Sequence, residues 1–181
     1  MADNPELVAQ IKALDWAGLR ALWEQVKNGT DNWDPGKAFE YLILRAFDLN
    51  GAEVEWPYTV HLQGEALEQI DGVVHTSGLA CLVESKSTAE AVNVEPIAKL
   101  RNQLLRRHSS AIGLIFSRSG FTDPALTLAQ FLAPQSILLW NGGEVDYLLE
   151  HENPSALLLL KHRRAITLAV PDYDVRVEAV I

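Results

Sequence analysis

Asp71, Glu84 and Lys86 are the residues whose types and spacing could carry a reaction: two carboxylates and an amine, in the segments QIDGVV and LVESK. In an extended chain alternate side chains share a face, so Gln69, Asp71 and Val73 line one side of the first segment, and Leu82, Glu84 and Lys86 line one side of the second. The residues between them, His75 to Gly78, have turn chemistry, which sets the two strands side by side. Asp71 and Glu84 then come close enough to share a hard cation, Mg²⁺ or Mn²⁺, with the main-chain carbonyl of Ser85 as a third oxygen ligand. Two such carboxylates repel each other when no cation lies between them. Lys86 follows on the same face, where its amine can orient or deprotonate a water on the metal. Burial beside a metal is expected to bring a lysine pKa down towards the working range, which an arginine would not allow. The ion would acidify that water and offset charge on a scissile phosphate. The chemistry implied is metal-assisted hydrolysis of a phosphodiester.

The elements that must position these residues follow from period and punctuation. Asn4-Pro5 and Asp15-Trp16 each pair an N-cap with a first helical residue, which predicts two short helices ending near Asn28-Gly29. Leu19, Leu22, Trp23 and Val26 form the apolar stripe of the second, a packing element or a partner-facing arm. Asp34-Pro35 opens a third helix, with Phe39, Leu42, Ile43, Ala46 and Phe47 at helical spacing and Gly51 as its stop. Glu40 stands on the edge of that stripe, one turn from Ile43, so it points along the neighbouring sheet and becomes a fourth candidate for the site. From residue 53 the period becomes two, giving expected strands at 53–62, 69–75 and 79–86. A helix over about 94–108, a strand at 111–117 apolar enough to be buried on both faces, a helix from Asp123-Pro124 to about 132 and a buried strand at 136–140 come next. The order implies an α/β fold, a mixed sheet flanked by helices. Residues 144–150 and 155–163 have helical spacing. Tyr173 to Val180 alternates like an edge or partner-pairing strand.

A chain of 181 residues with net charge −9 supports one well-buried domain and is not a general nucleic-acid coat. No apolar run is long enough for a membrane helix, and the first residues lack a basic segment followed by an apolar core, so a cytoplasmic protein without membrane association is expected. Cys81, the single cysteine, lies in an apolar run and reads as a buried structural thiol, which leaves no disulfide framework or multi-cysteine zinc site. The five histidines show no paired metal-ligand spacing, no glycine-rich loop ends in Lys-Ser or Lys-Thr, and Ser117 has no nucleophile-elbow context. The five tryptophans are scattered and read as core or interface.

Glu40 in GKAFE, Asp71 in QIDGVV and Glu84-Ser85-Lys86 together resemble the E…D…ExK signature of the PD-(D/E)XK nuclease superfamily, in its Mrr-like or type IV restriction branch. The resemblance covers about residues 35–135, with Ile70 standing where the superfamily name has proline. It implies a restriction-endonuclease-like core in which Asp71 and Glu84 bind Mg²⁺, Lys86 activates water, and Glu40 assists through a water or a second metal. Members of that branch often carry a glutamine on the helix after the ExK strand, the position of Gln103. On this reading the chain is a single domain over 1–181, with an N-terminal helical extension (1–30), a nuclease core (35–135) and a C-terminal extension (136–181).

Between Pro96 and Thr122 there is no acidic residue, and Lys99, Arg101, Arg106, Arg107 and Arg118 all fall there. Such a gap concentrates positive potential beside the site, and these five are the candidate DNA-phosphate contacts. Lys161 to Arg164 form a second basic cluster, a phosphate contact or a helix cap. The expectation is a restriction or defence endonuclease acting on DNA, as a homodimer where both strands are cut, with sequence recognition supplied by a partner protein in one arrangement. A structure-specific repair or Holliday-junction-type nuclease, and a nuclease-fold interaction module without catalysis, are the two alternatives.

Overall fold

A computed structural model of the chain describes residues 4–34, 36–132 and 136–180. The two expected opening helices form where their caps place them. In α1 (Pro5–Lys12) the Asn4 side chain accepts from the N–H groups of Glu6 and Leu7, and in α2 (Trp16–Asn28) Asp15 accepts from Gly18 before the helix ends on left-handed Gly29. Both are packing elements and not free arms. Ile11, Leu19, Trp23 and Val26 are buried in the main core, and the Trp23 ring stacks on Phe39 at 5.1 Å between centroids.

Helix α3 (Lys37–Leu49) opens later than Asp34-Pro35 predicted: Gly36, at φ 83°, is the residue before it and offers no side-chain cap. Pro35 lies outside the described residues. An unbroken run from Ala38 to Leu44 is buried, so α3 is the central helix of the fold and not an amphipathic surface one.

The expected strand over 53–62 is two strands. β1 (Glu53–Glu55) and β2 (Tyr58–Leu62) are parted at Trp56-Pro57, where proline removes a donor from the ladder. β2 turns through Gln63 and Gly64, both at positive φ, into β3 (Glu65–Ile70), an element the alternating pattern registered only from residue 69. β2 and β3 form a separate two-stranded ribbon. β4 (Gly72–Thr76) and β5 (Leu79–Lys86) make the expected hairpin. Next come α4 (Val94–Leu104), shorter than its predicted 94–108, β6 (Ala111–Ser117), α5 (Asp123–Gln130), β7 (Ile137–Trp140), α6 (Gly142–His151) and α7 (Pro154–Leu168). The cap of α5 is Thr122 and not Asp123, since the Thr122 hydroxyl accepts from the Ala125 N–H.

The main sheet has the order β1-β4-β5-β6-β7, antiparallel through β5 and parallel from β5 to β7. Val74, Cys81, Val83, Leu114, Phe116 and Trp140 face α1 to α3, α6 and α7 in one core layer. Val73, Leu82, Ile115 and Leu139 face α4 and α5 in the other. The mixed sheet flanked by helices is therefore present as the sequence implied. Residues 173–180 depart from it: Val175–Val180 is a 3-10 helix, not an edge or partner-pairing strand. Glu144 and Lys161 hold this segment against α6 and α7, through the Val175 N–H at 3.2 Å and the Tyr173 carbonyl at 2.7 Å.

Candidate active site

The last antiparallel pair of the β4–β5 hairpin is Gly72 with Val83. One step beyond it, between the end of β3 and the start of β4, Asp71 falls opposite Glu84. The geometry depends on Gly72, because a Cβ there would sit 2.5 Å from Leu44 of α3 and 3.1 Å from the Glu55 carbonyl. Past the end of the ladder the Ser85 N–H has no strand partner on that side and donates to Asp71 Oδ2 at 3.0 Å. A residue's N–H and C=O point to the same side of a strand, so the Ser85 carbonyl also faces the Asp71 side. Lys86 closes β5 beside Ser117 of β6, at the carboxyl ends of the parallel strands, where ligands of open α/β sheets sit.

Asp71 and Glu84 are 8% and 1% exposed, and Glu40 in the first turn of α3 is 7% exposed. Burial raises the pKa of Asp71, and the charge of Glu84 raises it further against the Ser85 hydrogen bond and the charges of Lys99 and Lys86. Glu40 is pushed up to about 7, first by burial and then by Asp71, with Glu84 adding to the effect, against its ion pair with Lys37. The three carboxylates therefore sit in one another's field. Burial alone would lower Lys86, yet Glu84, Asp71 and Glu40 outweigh it and hold that pKa above the usual lysine value. In the chain by itself Lys86 is thus a charged donor.

The oxygens of Glu84 are shared between two ammonium groups. Lys86 Nζ lies 2.6 Å from Oε1 and Lys99 Nζ 2.7 Å from Oε2. Oε1 is buried and receives no aligned hydrogen bond despite that contact, so it retains acceptor capacity. Among the described residues no group of three or more His, Cys, Asp and Glu side chains gathers as a metal cage. The donors at hand are two carboxylates and a main-chain carbonyl. Hard oxygens in that small number suit Mg²⁺, which keeps several of its waters, and the residues fit the ion.

The remaining candidates fall on α4, just after it and just after β6. Gln103 is buried, and its Nε2 donates to the Gln69 carbonyl at 3.0 Å, which ties α4 to the strand leading into Asp71. Arg106 and Arg107 clamp Glu68 on β3, and Arg107 also donates to the Gln103 carbonyl at 2.6 Å. These arginines hold the Glu68 pKa below the usual range although burial acts against them. Arg118 donates to the Val26 carbonyl at the end of α2, 2.7 Å away. Arg101 is exposed on α4. In the second basic cluster, Lys161 is buried on Glu144 at 2.6 Å and Arg164 pairs with Glu178. Two contacts escaped the sequence reading. Lys99 on α4 reaches Glu84 on β5, a contact that no local pattern signals. Lys37 grips Glu40 at 2.8 and 2.9 Å, which its i,i+3 spacing in a first helical turn could have signalled.

A mixed sheet of this order, with Asp71 just before β4 facing Glu84 and Lys86 at the end of β5, defines the class: a restriction-endonuclease-like fold of the PD-(D/E)XK type. The family model described as restriction endonuclease, built on Mrr-type catalytic domains, matches residues 30–149, and the chain belongs to that family. Its fold is similar to that of the small subunit of the heterodimeric restriction endonuclease R.BspD6I, at 12% identity over 87% of this chain and 92% of that one, with a TM-score of 0.54. It is also similar to the DNA modification-dependent restriction endonuclease AspBHI, at 16% identity and a TM-score of 0.51, over 74% of this chain and 35% of that one. At these identities the likeness is one of fold. No curated protein matches the chain.

Proposed function

We propose that the chain is a Mg²⁺-dependent endonuclease that hydrolyses DNA phosphodiesters, a restriction or defence enzyme of the Mrr-like or type IV branch. The observation that carries this reading is the burial of Asp71 and Glu84 opposite each other, with Glu40 in their field and Lys86 against Glu84. Buried carboxylates this close repel one another, and a divalent ion relieves that repulsion. Asp71, Glu84 and the Ser85 carbonyl would hold Mg²⁺ or Mn²⁺, with Glu40 assisting. When bound, the ion supplies a more acidic water and charge to offset that of the phosphate. Lys86 donates from its place at the strand end and orients the attacking water. Gln103 and the Arg106-Arg107 clamp keep the β3 end in line with Asp71, and Arg101 faces solvent on the same helix as a candidate phosphate contact.

One such site cuts one strand, so cleavage of both strands requires a homodimer or a second nicking partner. The R.BspD6I small subunit, which resembles this chain over most of both lengths, acts within a heterodimer. That likeness supports a version of the proposal in which a partner protein brings sequence recognition. The test is cleavage of plain, base-modified and branched DNA with Mg²⁺ or Mn²⁺, beside the Lys86→Ala variant. The proposal expects metal-dependent cleavage that falls by about a hundredfold or more in the variant. Preference for branched DNA would move the enzyme to a repair or junction-resolving role. Absence of metal-dependent cleavage of any of these or of RNA, or equal cleavage by the variant, would leave an interaction module and overturn the enzymatic reading.

A further inference from the structure

Lys99 touches the same carboxylate that the proposed function gives to the metal. Its ammonium is 2.7 Å from Glu84 Oε2, while Lys86 occupies the side of Oε1. Both oxygens of a carboxylate that is 1% exposed are therefore faced by cations belonging to the protein itself. The two lysines differ in their freedom. The Lys86 side chain, at the end of β5, is 33% exposed, whereas the Lys99 side chain reaches in from α4, is 43% exposed and has solvent into which its flexible stem can turn. A hard cation seated on Glu84 repels the nearby ammonium and competes with it for the same lone pairs.

We propose that Lys99 is an exchangeable counter-ion: it neutralises Glu84 while the site holds no metal, and is released by metal binding to contact the phosphate backbone of the nucleic acid. The inference rests on the reading of Asp71 and Glu84 as metal ligands. It makes metal and DNA mutually reinforcing ligands, because DNA gives the displaced ammonium a new partner, and by linkage each ligand tightens the other by the same factor. Lys99 is then a positioning residue whose effect has opposite signs in the two halves of the cycle. A lysine that only props up the fold would weaken both.

The test measures Mn²⁺ affinity by calorimetry on the whole chain without DNA. DNA affinity is measured with and without Ca²⁺ at several salt concentrations, for the unaltered protein, Lys99→Met and Lys99→Arg. Removing a partly exposed charged competitor, whose contact is worth up to about 1 kcal/mol, is expected to tighten Mn²⁺ binding by about fivefold in Lys99→Met. Lys99→Arg, which keeps the charge, is expected to return towards the unaltered value. With Ca²⁺ present, Lys99→Met is expected to bind DNA more weakly and to lose about one unit of salt slope, so the gain in DNA affinity on adding Ca²⁺ shrinks. Unchanged or weaker Mn²⁺ binding by Lys99→Met, or an undiminished Ca²⁺ effect on its DNA binding, overturns the inference. Should Lys99→Met fail to fold, Lys99→Gln takes its place in the same measurements. Absence of Mn²⁺ binding by the unaltered protein would instead bring down the metal-site reading beneath it, so the two failures are distinct.

Discussion

At the scale of single residues, the site is a cluster of buried carboxylates held by the protein's own cations, Glu84 by Lys86 and Lys99 and Glu40 by Lys37. Glu40 carries the clearest consequence. Its folded pKa is raised from 4.5 to about 7, so the folded state binds its proton more tightly than the unfolded chain does. The corresponding stability is fully present below about pH 4.5 and lost as pH rises towards 7. Metal-free protein is therefore expected to show a melting temperature that falls across this window in chelator, and Glu40→Gln is expected to flatten that fall. A wild-type slope retained in the variant would mean that Glu40 is not the titrating group. The period of two in QIDGVV and LVESK made Asp71, Glu84 and Lys86 legible, because a strand repeats every second residue whatever surrounds it. The partner of Lys99 was not legible, since contact between positions 84 and 99 depends on how α4 lies across β5. The buried reading of Cys81 agrees with its place in the core, where burial pushes its thiol up to about 12.

At the scale of elements, the strand turn at Gly72 and the closure of the C-terminal segment bear the most weight. A Cβ at position 72 would press on the Leu44 side chain and on the Glu55 carbonyl, so Leu44 or the start of β4 has to shift. Gly72→Ala is expected to cost about 1–3 kcal/mol by overpacking and to weaken divalent-ion binding, because Asp71 moves with the strand. Denaturant unfolding and metal titration of one variant check both, and a stable variant with unaltered metal affinity would contradict the account. Lys161 and Glu144 form a buried pair at 2.6 Å, with the Lys161 ammonium 4.6 Å from the centroid of the Trp140 ring. Removing either charge alone strands the other, so Lys161→Met or Glu144→Gln is expected to cost about 3–5 kcal/mol in urea unfolding, and the double variant much less than the sum. This pair also explains why the alternation of Tyr173 to Val180 misled. Nothing local in YDVRVEAV reveals that Tyr173 and Val175 are held by residues on two earlier helices. The split of 53–62 was more accessible: Pro57 inside an alternating run is a strand breaker, and Gln63-Gly64 is a two-residue hairpin turn.

At the scale of the whole molecule, element order carried most of the fold. A helix, a meander of antiparallel strands and then parallel strands joined by helices leave few ways to build one sheet, and the sheet has the mixed topology that order implied. Charge was harder to read at this scale. The stretch without acids from Pro96 to Thr122 gathers positive charge, and four of its five candidate phosphate contacts, Lys99, Arg106, Arg107 and Arg118, also have partners in other elements. With a net charge of −9, DNA binding without metal is expected to be weak and to fall steeply with salt. Among the described residues no helix is long and apolar enough to cross a membrane.

Every proposed role at the site depends on Asp71 and Glu84 holding a divalent ion. Anomalous diffraction from crystals of the protein grown or soaked with Mn²⁺ tests it most directly. One peak is expected about 2.0–2.3 Å from a carboxylate oxygen of each residue, with the Ser85 carbonyl within the same shell and Lys99 turned away from Glu84. Crystals at saturating Mn²⁺ with no peak there, and Glu84 still gripped by Lys86 and Lys99, would contradict it.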